Sequence, residues 1–447
     1  MPVKTEIVVA LAVILIIVAG TIGYYIGTTT AGPALTVTVR ETVPAETVTI
    51  RETVRETVTV TATPAVPTIK LGVIGPWAGK EAEYFIKVLE EYKKIRPNVD
   101  FEYTVMRAED LAKVLPLQFE AKTTPADIII TPWGWFIAEM AKKGHVVDLT
   151  GYISKDEYVS GVLDPVTVDG KIYAAPFTMW LKPGFWYRRS VFAEHGLSEP
   201  KTWDDLLELL DKIKGISGVK NAIVTGNGVG WPISDVVEHF IITFGGSQLQ
   251  LDLIEGKVKF TDPEVREVFE RYLVPLVKAR HFSEPIEWTT AIELWWAGQY
   301  VLYFMGTWIT GMVEDPNDLG FFPLPGCRGV VGGTDYIFVP VYSPHKDIAV
   351  EFVKWLATEG QVVHASTPAG KIPTWVKADP EKIWGPMKEV YRKVMELGLA
   401  ISPDLDDSVG GEWQVLFWDQ LKLLWVNPDR LSDVLETLTR EHPKVKG

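Results

Sequence analysis

Beyond residue 68, the hydrophobic positions fall into short apolar runs that alternate with longer amphipathic segments. Ile69–Ile74 has the length and apolar content of a buried strand. Glu81–Ile95 places apolar residues three and four positions apart, which predicts a helix, and Pro97 ends it. Three further elements complete a βαβαβ unit: a strand over 99–105, a helix from about 109 and a strand over 126–131. This alternation predicts open α/β sheets rather than a β-sandwich or a helical bundle.

The same alternation continues toward the C-terminus. The pattern predicts the following elements: a helix over 263–279, strands over 301–305 and 336–341, a helix over 348–358, and final helices over 387–398 and 409–426. We therefore predict the α/β class for the whole body of the chain.

The N-terminal segment has a different pattern. Ile7–Ile26 is almost continuously apolar, and a helix of about 20 residues spans roughly the 30 Å of a bilayer's hydrocarbon. Lys4 before it and Tyr24-Tyr25 near its end favour a cytoplasmic start and an interfacial aromatic pair. We predict a single-pass anchor over 1–27, with the body outside the cell. A cleaved signal peptide is the alternative.

Residues 28–68 have a composition unlike the rest of the chain. Fourteen of these 41 residues are threonine, and short Glu-Thr-Val repeats recur among them. Alternating threonine and valine disfavour helix, and no residue is large enough to build a core. We predict an extended extracellular stalk whose threonines are candidates for O-linked sugar.

The amino-acid composition limits the kinds of binding partner and the compartment chemistry that fit this chain. A net charge of −14 argues against nucleic acid and anionic membrane surfaces. The single cysteine, Cys327, excludes an internal disulfide. Asparagine and glutamine together number only 12, which is typical of thermophilic and archaeal-like proteins.

Residues 169–206 carry several short motifs in a fixed order. Asp169-Gly170 is a turn signal before an apolar run that ends at Phe177, and Pro183-Gly184 interrupts the chain afterwards. Thr202 is placed to cap a helix, and Asp205 three residues later completes a capping box. By itself this is one βα unit of any α/β protein.

In combination, these motifs resemble the hinge-crossing segment of extracellular solute-binding proteins of the sugar-binding family, the maltose-binding-protein-like components of ABC transporters. The matching residues are Asp169–Tyr173 with Pro176, Trp186–Arg188 with Phe192 and Gly196, and Pro200–Leu206. Arg188 departs from the family, which usually has asparagine there. Three later segments extend the resemblance over 69–440: residues 125–130, 297–308, and 331–333 followed by 350–356.

The resemblance implies a two-lobed, type II periplasmic-binding-protein-like fold that holds its ligand in a cleft between the lobes. The expected first lobe comprises 69–178 and 325–373, and the second comprises 179–324 and 374–447. It also implies hinge crossings near 178–184, 321–325 and 373. The implied function is a receptor that captures a carbohydrate, expected to be an oligosaccharide, by hinge closure and delivers it to an ABC permease.

Tryptophans are the first candidates for ligand contact, because flat apolar rings suit the faces of sugar rings. Several of the 17 tryptophans follow predicted strands or lie in loops, where open α/β sheets bind ligands: Trp77, Trp133, Trp135, Trp231 and Trp308. The resemblance implies that Trp308 stacks on the ligand, and Trp413 matches a second stacking position. Tryptophans inside helical patterns, such as Trp295 and Trp418, are expected to be core.

Polar partners for the ligand are expected near the same loops. Gly333, Thr334, Asp335 and Tyr336 follow a turn that the resemblance places at the cleft. Asp235 and Glu412 begin helices near candidate tryptophans, and helix capping explains them equally well.

Enzymatic functions find little support in the sequence. The chain has no HExxH and no GxSxG motif, so we expect neither a zinc site nor a nucleophile elbow, and we predict no cofactor, no metal and no catalytic residue. Asp404, Asp406 and Asp407 form a tight acidic cluster that fails the EF-hand pattern, and we expect a solvated loop there. A surface glycoside hydrolase, a structural carbohydrate-binding protein and a peptide receptor remain the alternatives.

Overall fold

The computed structural model describes residues 67–445. The predicted anchor, 1–27, and the predicted stalk up to residue 66 lie outside the described residues. Among the described residues, no helix combines the length and the apolar content needed to cross a membrane.

The first sheet of the described residues contains seven strands. Parallel strands β1 (Ile69–Gly75), β2 (Val99–Val105) and β3 (Ile128–Thr131) form one half, with the order β2-β1-β3. All four residues of β3 are buried, as expected for a central parallel strand. These strands confirm the predicted βαβαβ unit, with the third strand beginning two residues later than expected.

Two small strands, β4 (Thr167–Val168) and β5 (Lys171–Ile172), form a hairpin closed by Asp169-Gly170. The chain then enters β6 (Ala175–Lys182) and turns directly into β7 (Phe185–Arg188). Gly184 makes this turn possible, because its φ is 144° and an added Cβ would lie 2.2 Å from the carbonyl oxygen of Phe322.

A second sheet, of four strands in the described residues, has the order β10-β7-β9-β8. Its other members are β8 (Ile223–Val224), β9 (Leu302–Phe304) and β10 (Leu319–Phe322). Residues 185–322 therefore leave the first sheet and build the second. The chain returns in the long strand β11 (Gly329–Phe338), which pairs antiparallel with both β6 and β3.

The remaining strands complete the first sheet. β12 (Ile372–Pro373) pairs with β6, and β13 (Ala400–Pro403) pairs with the first four residues of β11. The antiparallel pair of β6 and β11 thus continues from the first sheet toward the second. This strand pair lies where the sequence predicted that the chain crosses between the two lobes. Residues 178–182 of that crossing form regular strand and do not interrupt β6.

Helices cover the sheets and supply most of the remaining core. In chain order they are α1 (Gly79–Ile95), α2 (Ala108–Glu120), α3 (Gly134–Lys142), α4 (Arg189–Glu194), α5 (Trp203–Lys214), α6 (Trp231–Gly245), α7 (Ser247–Ile254), α8 (Pro263–Glu267), α9 (Val274–Lys278), α10 (Trp288–Trp296), α11 (Lys346–Trp355), α12 (Gln361–Ala365), α13 (Gly385–Glu396), α14 (Leu405–Val409), α15 (Gly411–Val426) and α16 (Leu431–Glu441). α6 is the most deeply buried helix of this set, with 12 buried residues in a row from Pro232 to Thr243.

Several predicted elements have different bounds in the structure. The helix predicted over 263–279 is interrupted, because Val268–Leu273 forms a π-helical turn between α8 and α9. The strand expected over 336–341 begins much earlier, at Gly329, because Gly332 and Gly333 conceal the strand pattern while β6 and β13 pair with this stretch. The last long helix, predicted over 409–426, is confirmed as α15, which begins at Gly411 because Gly410 has a φ of 70° and separates it from the short α14.

The predicted capping box at α5 is confirmed. The Thr202 side chain accepts from the Asp205 backbone N–H at 3.1 Å, and the Asp205 carboxylate accepts from the Thr202 N–H at 3.0 Å. Leu206, Leu209 and Ile213 are buried on the inner face of this helix. The box therefore fixes the start of a helix whose apolar face belongs to the core.

Replacing Thr202 by alanine should lower the free energy of unfolding by about 1 kcal/mol, because the N–H of Asp205 loses its acceptor. Chemical denaturation of the full chain measures this change. Lys201→Ala is the matched control, since Lys201 is exposed and contributes only its backbone N–H to the box. Equal stability of the two variants would contradict the role assigned to the cap.

Candidate functional site

A cavity lies between the first sheet and the helices that begin on the second. Its volume is about 210 Å³. A single water needs only about 10–15 Å³ of such space, so the cavity has room for an organic molecule. Six tryptophans line it: Trp77, Trp133, Trp180, Trp231, Trp288 and Trp308.

Strand ends and helix starts place these indoles. Trp77 follows β1 and Trp133 follows β3, both at the carboxyl ends of parallel strands. Open α/β sheets bind their ligands at this edge. Trp231 begins α6 and Trp288 begins α10, while Trp308 lies in the 3₁₀ turn after β9.

Four of the rings contact one another and form a continuous aromatic wall. Trp180 meets Trp308 edge to face, with centroids 5.4 Å apart. Trp308 lies 5.7 Å from Trp231, which lies 5.4 Å from Trp288. Such contacts hold each ring in place and leave apolar faces toward the cavity.

Two glycines make room for this wall. A Cβ on Gly333 would lie 2.3 Å from the Trp180 ring, and a Cβ on Gly306 would lie 2.0 Å from the Trp308 ring. Neither glycine lines the cavity itself. Gly333, predicted to contact ligand, instead supports the ring of Trp180 from behind.

One end of the cavity is built around Lys182, the last residue of β6. Its ammonium group contacts the Asp235 carboxylate and lies 2.6 Å from Oδ2 of Asp404. All three side chains are buried. Burial by itself would lower the pKa of Lys182, but the neighbouring carboxylates outweigh it and raise that pKa. Lys182 is therefore a fixed positive charge.

Four aspartates line the Lys182 end of the cavity, so carboxyl groups outnumber the single lysine there. Burial raises the pKa of Asp235 to about 8 and that of Asp406 to about 6. Burial and the adjacent Asp404 also raise the pKa of Asp407. The group as a whole therefore retains protons near neutral pH, in spite of the attraction of Lys182 for each carboxylate.

The prediction of a solvated loop at Asp404, Asp406 and Asp407 is wrong. Asp404 and Asp406 are buried, and the structure holds the cluster with specific donors. Asp404 caps α14 by accepting from the N–H of Asp407 at 3.1 Å. Asp406 accepts from Trp418 Nε1 at 2.8 Å and from Gln414 Nε2 at 3.0 Å. Donors from the following helix keep these acids in the cavity wall.

The opposite end of the cavity repeats this arrangement with Lys371. Its ammonium group donates to Oδ2 of Asp335 at 2.7 Å, and both side chains are buried. The ammonium also lies 5.5 Å from the centre of the Trp77 ring. Burial raises the pKa of the nearby Glu81 to about 8. Each end therefore carries a lysine, a paired carboxylate and a tryptophan.

Acidic triplets in the described residues approach the geometry of metal ligands. Carboxylate oxygens of Asp235, Glu238 and Asp404 lie within 4.8 Å of one another. The ammonium group of Lys182 contacts two of these three carboxylates, in the place where a cation would lie. The second triplet is the Asp404, Asp406 and Asp407 cluster.

One ion pair joins opposite sides of the cavity mouth. Arg107 precedes α2 and Glu287 precedes α10, and their Nη2 and Oε1 atoms are 3.3 Å apart. The Arg107 guanidinium lies 5.9 Å from the centre of the Trp288 ring. Nearby, Lys80 of α1 donates to the backbone carbonyl of Val313 at 3.1 Å. These contacts connect the first-sheet side to the second-sheet side.

Six of the predicted site residues line the cavity: Trp77, Trp133, Trp231, Asp235, Trp308 and Asp335. Trp135 stacks on the outer side of Trp133, with centroids 5.7 Å apart. Tyr336 donates to the carbonyl oxygen of Val162 at 2.8 Å, and Thr334 is buried within β11. These three residues support the walls and do not line the space.

Trp413 and Glu412 lie apart from the cavity. Trp413 stacks on Phe417 at 4.9 Å and donates through Nε1 to the carbonyl oxygen of Leu438. Glu412 is exposed in the first turn of α15. The spacing of a helical core explains Trp413, and we leave both residues out of the proposed site.

Sequence reasoning missed several lining residues, including Trp180, Trp288, Lys182, Lys371 and Arg107. One signal was present, because Lys182 is a lone charge at the end of an apolar strand and a buried lysine needs carboxylate partners. Lys371 offered no comparable signal, since it precedes the two-residue strand β12 and does not end an apolar run.

The family profile of the bacterial extracellular solute-binding proteins matches residues 78–363 of the chain. An uncharacterized ABC transporter extracellular-binding protein of Pyrococcus horikoshii is 59% identical over 389 residues, which cover 87% of this chain and 92% of the relative. The maltotriose-binding protein of Pyrococcus abyssi is 25% identical over 67% of this chain and 66% of its own.

A solved structure of maltose-bound MalE3 from T. maritima has the same fold. Its TM-score is 0.65 at 22% identity, over 83% of this chain and 98% of that one. The profile match covers well over half of the chain, and the Pyrococcus horikoshii relative extends the likeness along most of its length. The chain therefore belongs to the bacterial extracellular solute-binding protein family, as its hinge-crossing motifs predicted.

Proposed function

We propose that this protein is the receptor of an ABC importer that captures a saccharide in the tryptophan-lined cavity and releases it unchanged to a membrane permease. The observation that carries the proposal is the combination of six indoles with buried, hydrogen-bonding charges at both ends of the cavity. Relatives named for binding maltotriose and maltose support the saccharide class.

The cavity walls suit a sugar because a sugar has apolar ring faces and polar hydroxyls, and the walls offer a partner for each. Pyranose faces are apolar and pack on indoles, while hydroxyls both donate and accept hydrogen bonds. The aromatic wall from Trp180 to Trp288 supplies the first kind of contact. Asp235 and Lys371 offer an acceptor and a donor already fixed in place. A buried group that is held in advance costs less to order on binding.

Capture requires the two sides of the cavity to approach each other. The chain passes between the sheets where β6 leads into β7 and where β10 leads into β11, which are two of the three predicted crossings, near 178–184, 321–325 and 373. We propose that these crossings act as the hinge, with the first and second lobes bounded as the sequence predicted. A ligand that touches both sides stabilises the closed form by its differential affinity.

The proposal is tested by thermal shift and intrinsic fluorescence of the full-length chain against malto-, cello- and xylo-oligosaccharides, short peptides and oxyanions. A ligand at about 100 times its dissociation constant should stabilise the protein by ~2.7 kcal/mol. Recovery of the same saccharide after incubation distinguishes a receptor from a glycoside hydrolase. A response to peptides alone, or a cleaved saccharide, would overturn the proposal.

Replacing Trp308 by alanine should weaken binding of the responding saccharide about tenfold, or ~1.4 kcal/mol. Trp308 lies between Trp180 and Trp231, so its removal takes away one stacking face and loosens two others. Isothermal titration calorimetry measures the affinity. Trp296→Ala is the control, because Trp296 is also half-buried but packs against Arg188 outside the cavity. Equal losses in the two variants would contradict a binding role for Trp308.

Arg107→Gln and Glu287→Gln should each weaken binding by about 0.2–1 kcal/mol, and the double variant should be no weaker than either. The ion pair closes the cavity mouth, so losing one partner removes the whole interaction. Glutamine at 287 keeps an oxygen for the backbone N–H groups of Thr289 and Thr290.

The control is the Lys143 and Glu139 pair, an exposed ion pair of 2.7 Å at the C-terminal end of α3 that does not line the cavity. Its glutamine variants should leave saccharide affinity unchanged. Strictly additive losses from Arg107 and Glu287 in the calorimetric double-mutant cycle would show that the two residues act separately and would refute the closure contact.

A further inference from the structure

Glu81 contributes a carboxyl group to the cavity wall that has no partner among the described residues. It lies in the first turn of α1 and lines the cavity, with only 7% of its surface exposed. Within residues 67–445, this carboxyl group receives no hydrogen bond. Its oxygens are not closed off by the protein, whereas Oδ2 of Asp235 in the same wall is. A molecule in the cavity can therefore reach the carboxyl group of Glu81.

Helix capping does not explain the position of Glu81. A glutamate in the third position of a helix commonly accepts from the backbone N–H of the N-cap residue and completes a capping box. Glu81 has this position in α1, but no side-chain bond caps the helix at Ala78. The nearby ammonium group of Lys371 donates to Asp335 instead. Because burying a carboxyl group without donors opposes folding, this side chain lowers the stability of the ligand-free protein.

The surroundings keep the carboxyl group of Glu81 protonated. Burial raises its pKa to about 8, although Lys371 opposes the shift, and the charge of Asp335 adds to it. Tyr103 of β2 and His364 of α12 also pack beside this part of α1. Both are neutral at pH 7, because burial raises the pKa of Tyr103 and lowers that of His364. At pH 7 the Glu81 carboxyl group is therefore uncharged and has a proton to donate.

We propose that Glu81 determines specificity at the Lys371 end of the cavity, by donating a hydrogen bond from its protonated carboxyl group to an oxygen of the bound saccharide. This inference rests on the proposed function and adds a specificity-determining residue to the same cavity. Hydroxyl and ring oxygens of a sugar accept such a bond. An apolar molecule of the same shape leaves the carboxyl group buried without a partner, and that penalty disfavours it.

Saccharide affinity should depend on pH through this residue. A bound saccharide encloses the carboxyl group further, which makes its ionisation still less favourable. Affinity is therefore highest below the Glu81 pKa of about 8 and is lost as the pH rises through that value. If only the neutral form binds, the loss between pH 7 and pH 9 is about tenfold. Burial also raises the pKa of Asp235 to about 8, so variants must separate the two residues.

The test is calorimetric titration of the full-length protein with maltotriose, cellotriose and xylotriose at pH 7 and pH 9. These sugars are uncharged at both pH values. Glu81→Met removes the hydrogen-bonding group and keeps an unbranched chain, so it should weaken binding about three- to tenfold at pH 7. Glu81→Gln keeps a donor and cannot ionise, so it should bind more tightly than Glu81→Met. The ratio of its affinity to that of the wild type should rise about tenfold from pH 7 to pH 9.

Two controls separate binding from structure. Glu83 lies on the same helix, is exposed and does not line the cavity, so Glu83→Gln should bind with the affinity and pH profile of the wild type. Thermal unfolding of ligand-free Glu81→Met gives the second control. This variant should be at least as stable as the wild type, because it loses a buried carboxyl group that has no donor.

The outcomes separate the two proposals. Equal binding of a trisaccharide by the wild type and Glu81→Met would overturn the Glu81 inference and leave the proposed function intact. A Glu81→Gln to wild-type affinity ratio that does not change with pH would overturn it as well. So would a clear loss of stability in ligand-free Glu81→Met, because the carboxyl group would then support the fold. If no saccharide binds the wild type, both the inference and the proposed function fail.

Discussion

The buried ammonium group of Lys182 is the interaction on which the architecture of the site depends. It ends β6, which begins in the first sheet, and it pairs with Asp235 of α6 and with Asp404 at the start of α14. Three segments separated by 53 and 222 residues thus meet at one charge. Removing a single partner from a buried ion pair typically costs about 3–5 kcal/mol, so each of these segments is held in register by the others.

The aromatic wall depends on the same register. Trp180 is two residues before Lys182 on β6, and Gly333 on the neighbouring strand β11 is the residue that leaves space for its ring. Trp308 then packs on Trp180, and Trp231 on Trp308. A one-residue slip between β6 and β11 would direct Trp180 to the opposite face of the sheet. Backbone pairing in the crossing strands therefore sets the position of rings that belong to three different segments.

Local sequence predicted much of the fold and about half of the site residues. The βαβαβ unit, the capping box at Thr202 and the tryptophans after strands all depend on neighbours within a few residues, and periodicity and turn chemistry report such neighbours. Trp77 and Trp133 were found for this reason, since the strand ends that carry them are visible in the sequence.

The acidic cluster shows where that reasoning stops. Three aspartates in four residues resemble a solvated loop, and only the pairing of Asp404 with Lys182, 222 residues away, shows that this cluster is buried. The position of Trp180 in the cavity wall could not be predicted for the same reason. A strand residue faces either the core or the cavity, and the neighbouring strand determines which.

The fixed charges also determine how selective the cavity can be. Lysines and carboxylates that pair with each other in the cavity wall do not have to be ordered by a ligand, so their recognition costs little entropy. These side chains also cannot move to fit a different ligand, because moving one of them would break a buried ion pair. A ligand that fails to match these groups leaves them desolvated without partners, and that penalty rejects it more strongly than any stacking contact attracts it. Under the proposed function, the indoles therefore supply affinity for sugar rings in general, and the two lysine-centred clusters decide which ring is accepted.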